Sequence, residues 1–240
     1  MLYNIKMKLT LVKKITEAKS TKSFYFEPDI SFTWLPGQYI YITLSKLNYP
    51  DERGMTRHFT ISSSPTEGDL IQITTRIREE SGYKKTLDEL QIGSIVKGKG
   101  PQETFVLDSN RLDSRFSVFL AGGIGITPFR SMIKYNIDKK LNLPMYLIYS
   151  NSDSEFVFKK ELDLWQKEND FIKVEYINTS ATGRIDTLKI EKLIANWKLI
   201  IDNYTFSVVG PNIFVDAMED ALEQLNIPSA KIHTEKFTGY

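Results

Sequence analysis

Two stretches of the 240-residue chain carry residue types and spacings that could do chemistry. In one, the apolar run Phe116–Ala121 ends in Gly122, Gly123 and Gly125 and is followed by Thr127-Pro128. Thr is a good helix N-cap, and Pro is favoured at the first helical position because its missing N–H would be unpaired there. Strand, glycine turn and helix start would together aim backbone N–H groups and a positive dipole end at a phosphate. Gly123-x-Gly125-x-x-Pro128 departs from the GxGxxG dinucleotide fingerprint. A tight turn that needs small residues only for packing stays open beside phosphate binding.

The other stretch is Arg57-His-Phe-Thr-Ile-Ser-Ser63. A guanidinium can grip a pyrophosphate bidentately. The Phe59 ring could stack on a flavin, and a hydroxyl such as that of Thr60 could hydrogen-bond the flavin's redox-active edge. The same types also suit an ordinary edge strand with a solvated Arg and a core Phe. On residue types alone that plainer reading wins.

The elements around these stretches fall into two rhythms. Residues 5–107 alternate polar and apolar over short runs: Lys6–Val12, Ser23–Phe26, Tyr39–Leu44 and Leu70–Ile77. Period two bounded by Pro, Gly, Asn and Asp predicts antiparallel strands with one wet face, closed into a small barrel or sandwich. Pro36-Gly37 and Pro65–Gly68 read as turns. One short helix fits Tyr83–Leu90, with Ser81 able to cap it and Lys84 in its first turn. Residues 108–115 are polar and unpatterned and read as a linker. From 116 onward, apolar strands at Phe116–Ala121, Met145–Ser150, Ile172–Ile177, Thr205–Val209 and Ala230–Phe237 alternate with helical patterns near 127–138, 154–168, 187–197 and 213–225. That alternation predicts a doubly wound parallel sheet. The expected architecture is therefore β followed by α/β: a β-barrel over 1–107, a linker, and a nucleotide-binding α/β domain over 116–240.

Composition narrows the chemistry. The net charge is +1, which gives no basic footprint for nucleic acid. There is no cysteine and there are two histidines, so neither a Cys-built cluster nor a His-built metal site is expected, and no metal is assigned. Redox chemistry here would need an organic cofactor, with an external protein or small oxidant taking the electrons. No apolar run approaches a membrane span, so no membrane contact is expected and the chain reads as cytoplasmic.

The motifs resemble the ferredoxin–NADP reductase family. Arg57-x-Phe59-Thr60-x-x-Ser63 is similar to its RxYSxxS flavin motif, and Leu35-Pro-Gly-Gln-Tyr39 to its upstream PGQY turn. Ala121–Pro128 resembles its nicotinamide-dinucleotide loop, Val209-Gly210-Pro211 its CGP motif, and Glu235-Lys-Phe237 with Tyr240 its C-terminal ending. The resemblance implies FAD as cofactor in the barrel and NADH or NADPH as hydride donor in the second domain. It places Arg57 on FAD phosphate, Phe59 on the flavin ring, and the Thr60 hydroxyl near flavin N5. Ser63 and Tyr39 join the FAD set, although Tyr39 equally suits the barrel core. Ser81 and Lys84 fall where the family puts a second phosphate-binding helix N-terminus. Gly122, Gly123, Gly125 and Thr127, with Gly210 and Pro211, would hold the nicotinamide dinucleotide. Glu235, Phe237 and Tyr240 would approach the flavin from the C-terminal side, and Thr60 and Glu235 would be the catalytic residues. Departures stand at Phe59 for Tyr, Thr60 for Ser, Val209 for Cys, and Glu103 where many relatives have Gly.

The resemblance implies hydride transfer from NAD(P)H to flavin and electron delivery to a ferredoxin, a flavodoxin or an oxygenase component. Two other readings stay open: a free-flavin or metal-chelate reductase, and a regulatory subunit that binds flavin or nucleotide without turnover. For the coenzyme, Asp153 suits a free ribose 2′-OH while Arg184 could reach a 2′-phosphate. The balance tilts toward NADH.

Overall fold

A computed structural model describes residues 4–102, 105–107 and 117–237. Six strands, β1 (Ile5–Ala18), β2 (Thr21–Pro28), β3 (Tyr39–Thr43), β4 (Thr56–Thr60), β5 (Ile71–Arg76) and β6 (Ile95–Gln102), form an antiparallel sheet in the order β4-β3-β6-β1-β2-β5. The two edges meet just past β4. Ile61 bridges Ile73, and the Ser62 N–H donates to Gln72 O at 2.8 Å. The sheet is thereby closed into a barrel, which removes its edges. Alternation delivers Leu9, Leu11, Phe24, Phe26, Ile40 and Ile42 to one shared core, all with 0% exposure. Helix α1 (Gly82–Glu89) adds Tyr83 and Leu87 to that core. β6 carries Gly98, Gly100 and Pro101, which hide its alternation in the sequence.

The second half is a parallel sheet in the order β11-β10-β7-β8-β9. Its strands are β7 (Ser117–Gly122), β8 (Met145–Asn151), β9 (Ile172–Asn178), β10 (Thr205–Gly210) and β11 (Ile232–Lys236). Helices α2 (Ile126–Asp138), α3 (Lys159–Glu168), α4 (Thr179–Thr182), α5 (Thr187–Asn196) and α6 (Asn212–Gln224) connect them. Apolar clusters cover both faces: Phe129, Met132 and Leu162 pack on one, Ile190, Val215 and Leu222 on the other. This explains why β7 and β10 are apolar almost throughout. The chain leaves β7 toward β8 and β9, then returns to place β10 on β7's other side. At that reversal the C-terminal ends of β7 and β10 splay their loops and open a crevice.

Two local expectations change. Helix α2 starts at Ile126, with Gly125 as N-cap and no side-chain cap. Thr127 therefore lies inside the first turn, where its hydroxyl donates to Ile124 O at 3.1 Å. A 3-10 turn over Gly123–Gly125 runs directly into the helix and pre-empts the Thr cap. Helix α3 starts at Lys159 instead of near 154, because Phe158 adopts a left-handed φ of 62° and breaks any helix before it. The expected linker, 108–115, lies outside the described residues, as do Glu103 and Tyr240.

Candidate functional site

The barrel and the parallel sheet share a cleft of about 570 Å³. The barrel contributes Arg53 and Arg57–Thr60 around β4, Thr74 and Thr75 from β5, and Lys84 from α1. The other wall is Ile124 and Thr127 from the loop after β7, with Phe237 just past β11. A second cleft of about 860 Å³ lies on the far side of the same loop. Gly122, Gly123, Ser150–Ser152 and Pro211 line it, together with Arg76 from the barrel and Arg184. The glycine loop is thus the partition between two clefts.

The loop glycines have different reasons. Gly125 packs against the turn after β10: a Cβ there would lie 2.1 Å from Val209 O. Gly123 adopts φ +55° and faces open space, with the nearest atom to a Cβ 4.0 Å away. Gly125 thus answers a packing need, while Gly123 leaves its backbone open to the space beside it. Gly122 and Gly210 both lie against the Phe214 ring.

Arg57 is buried, and its terminal nitrogens are already engaged. Nη1 donates to the carbonyls of Arg53 (2.8 Å), Gly54 (3.0 Å) and Thr56 (2.8 Å), and Nη2 pairs with Asp51. The guanidinium lies 5.1 Å over the Tyr83 ring. It reaches the cleft as a fixed positive charge, not as the open fork that the sequence suggested. Ser81 is the N-cap of α1: its Oγ accepts from the Lys84 N–H at 3.2 Å and donates to Asp51 at 3.1 Å. Burial, then Arg78, Arg53, Arg57 and Arg76, push the Lys84 ammonium down to about pKa 8. His58 is likewise lowered, first by burial and then by Arg53 and Arg57.

This crowding of cations is the test of whether the residues fit FAD. Lys84, depressed first by burial and then by Arg78, Arg53, Arg57 and Arg76, is a buried cation among four arginines, and a pyrophosphate is an anion such a cluster would hold. The Thr60 side chain has no hydrogen-bond partner among the described residues, so its hydroxyl is available to a ligand in the cleft. Phe59 lies beside it, 6.0 Å from the Tyr83 ring. The donor set fits the cofactor.

Other expected residues stand back from the cleft. Ser63 Oγ donates to Leu70 O at 3.2 Å and accepts from the Gln72 N–H, so it closes the barrel. Tyr39 donates to Gln102 and packs on Tyr41 and His58. Its pKa rises to about 12, through burial first and then Tyr41 and Glu235. Glu235 is half-buried on β11. Asp153 accepts from Asn151 Nδ2 and the Glu155 N–H, both at 2.9 Å. Its Oδ1 closes its own turn, and the side chain stays exposed.

Sequence reasoning missed Asp51, Arg53, Thr74, Thr75 and Arg76. A signal existed for the last three: the run Thr74-Thr75-Arg76 breaks period two, and β5 is buried on both faces.

Residues 8–107 match the oxidoreductase FAD-binding domain family, and residues 119–220 the oxidoreductase NAD-binding domain family. Flavohemoprotein A of Dictyostelium discoideum is 29% identical over 94% of this chain and 58% of its own length. The ferredoxin reductase component of 3-ketosteroid-9-alpha-monooxygenase from Mycobacterium tuberculosis is 27% identical over 96% and 65%. The chain thus spans about three fifths of these relatives. Ferredoxin-NADP+ reductase from Plasmodium falciparum shares the fold, with a TM-score of 0.75 over 97% of this chain and 96% of that one, at 20% identity. Flavohemoglobin from Malassezia yamatoensis, with bound FAD and heme, superposes with a TM-score of 0.80 over 97% and 60%, at 22% identity. With an FAD-binding barrel, an NAD-binding sheet and a cleft shared between them, this chain belongs to the ferredoxin–NADP reductase family.

Proposed function

We propose that the chain takes electrons from NAD(P)H onto FAD and passes them to an external acceptor protein. The observation that carries this reading is the shared cleft, where Arg57, Phe59, Thr60 and Lys84 of the barrel face Ile124, Thr127 and Phe237 of the parallel sheet. The assignment of 1–107 to the flavin domain, 108–115 to a linker and 116–240 to the nucleotide domain belongs to the same proposal, as does a cytoplasmic location.

Bound FAD supplies two-electron acceptance and single-electron release, which nicotinamide cannot readily combine. The protein supplies position. Arg57, Lys84 and the N-terminus of α1, capped by Ser81, hold the FAD pyrophosphate. Phe59 covers the flavin ring, and Thr60 donates a hydrogen bond to its redox edge. Phe237 shields that edge from water and yields to nicotinamide. Glu235, on β11 two residues before Phe237, acts from the same C-terminal side. Gly122–Gly125, Thr127, Gly210 and Pro211 hold the nicotinamide dinucleotide, and Arg76 and Arg184 face its adenosine end. That pair gives the second cleft room for a 2′-phosphate as well as a free ribose.

An acidic acceptor suits the barrel's outer face. Cross-strand pairing sets Lys6 opposite Lys99 and Lys8 opposite Lys97, and these four exposed lysines have no ion pair among the described residues. Like charges directly opposed destabilise a sheet, so a partner's carboxylates would relieve them. The Lys6–Lys99 row continues through Tyr41 to His58, which lines the cleft. The test uses FAD-loaded protein with NAD(P)H and either ferricyanide or an acidic iron–sulfur protein. Lys97→Glu with Lys99→Glu should slow reduction of the protein acceptor and leave ferricyanide reduction unchanged. Equal rates with both acceptors in both proteins would reject this docking face.

A further inference from the structure

Arg130 carries a buried charge for which the cofactor sites have no use. It sits in the second turn of α2 with a side chain 3% exposed. All three guanidinium nitrogens are engaged. Nη1 donates to Ser62 O and Glu67 Oε2, both at 2.8 Å, and Nη2 to Glu67 Oε1 at 3.0 Å and Glu161 Oε1 at 2.9 Å. Nε donates to Glu161 Oε2 at 2.8 Å. The guanidinium lies 5.0 Å from the Phe158 ring and 5.6 Å from that of Trp165. Next to it, Ser131 Oγ donates to Ser63 O at 2.7 Å. Two turns further on, Asp138 accepts from Thr66 Oγ1 at 2.5 Å.

Four contacts from one helix therefore fasten the segment 62–67 of the barrel. That segment begins two residues after Thr60. The helix itself begins where the glycine loop ends, at Ile126. One rigid element thus joins the strand that faces the flavin to the loop that faces nicotinamide. A bidentate Arg fork fixes direction as well as distance. A solvated ion pair would fix neither.

We propose that Arg130, with Ser131, is a positioning residue for hydride transfer: it sets the separation between Thr60 and the 123–127 loop. This rests on the function proposed above. Misplacing reacting groups by about an ångström can cost on the order of a hundredfold in rate. Such a loss should fall on the reaction step and leave cofactor affinity alone.

The test compares wild type with Arg130→Met, Arg130→Lys and Ser131→Ala. In FAD-loaded protein, anaerobic stopped-flow should show flavin reduction slowed by about a hundredfold in Arg130→Met. Dissociation constants for FAD and nicotinamide nucleotide should stay within about twofold. Arg130→Lys should not rescue, because one ammonium cannot hold two carboxylates and a carbonyl in fixed directions. A reduction rate equal to wild type, or a loss of FAD affinity in step with the rate, would overturn the proposal. Calorimetry of the FAD-free protein reads the fastening without any turnover. Wild type should unfold in one transition, and Arg130→Met in two. A single transition at the wild-type temperature in the variant would overturn the proposal even if the assigned reaction were wrong. If Arg130→Met does not fold, Ser131→Ala carries both measurements, with a smaller slowing expected and an unchanged rate decisive against the proposal.

Discussion

Lys84 offers the sharpest quantitative test of the flavin site. Lys84 is 6% exposed, and its ammonium is depressed from 10.5 to about 8 by burial and four nearby arginines. At about 1.4 kcal/mol per pH unit, holding the proton costs the folded protein about 3 kcal/mol. Below pH 8 Lys84 is charged in both folded and unfolded chains, and the full cost is present. Between about 8 and 10.5 only the unfolded chain keeps the proton, so stability should rise with pH. Lys84→Met should therefore stabilise the FAD-free protein at pH 7 by as much as about 3 kcal/mol. For a chain of this size that is a rise in Tm of roughly 6–12 °C. The same substitution should weaken FAD, because the pyrophosphate loses a cation. Wild-type FAD binding near pH 8.5 should take up a proton, visible by titration calorimetry in buffers of different ionisation enthalpy, and affinity should fall as pH rises above 8. In Lys84→Met both effects should vanish. A variant that is less stable yet binds FAD as before would refute the reasoning, since it would make Lys84 a structural residue.

Asp51 holds Arg57 and accepts from Ser81 and the Tyr83 N–H, the same donors assigned to the pyrophosphate. Asp51→Asn should lower the stability of the FAD-free protein by about 1–3 kcal/mol and tighten FAD on the order of tenfold; parallel losses of both would show that Asp51 supports binding instead of competing with it. Gly125→Ala would set a methyl group 2.1 Å from Val209 O, so the loop must shift away from β10. Reduction by nicotinamide nucleotide should slow while FAD occupancy, read at its visible absorbance, stays constant; loss of FAD would mean the loop serves the wrong cofactor. Arg184→Gln should weaken NADPH about ten- to a hundredfold and leave NADH unchanged, and an equal effect on both in a coenzyme titration would remove Arg184 from the 2′-phosphate reading.

Much of this was legible because the informative signals are local. Alternation marked β1, β2, β3 and β5, and the strand–glycine–helix order found the partition loop. What escaped was set by distant parts of the chain. Thr127 looks like a cap, yet the turn at Gly123–Gly125 leads straight into α2 and makes it an interior residue. Ser63 looks like a ligand, yet barrel closure takes its hydroxyl. Arg57 was found by its motif, but Asp51, which holds it, lies six positions upstream in a loop with no pattern. Arg130 carries no motif at all; its meaning comes from Glu67, Glu161 and Ser62, which only the folded chain brings together. Asp153 shows a further local role that its type alone does not reveal, since its Oδ1 accepts from the Glu155 N–H and closes its own turn.

The central claim is that one cleft brings nicotinamide to a flavin held by the barrel. The most direct measurement is the visible spectrum of the purified, FAD-loaded protein before and after anaerobic addition of NADH or NADPH. The account predicts an oxidised-flavin spectrum that bleaches on addition of nucleotide and returns with an added electron acceptor. A protein that takes up no FAD, or an FAD-loaded protein whose spectrum neither nucleotide changes, would contradict it.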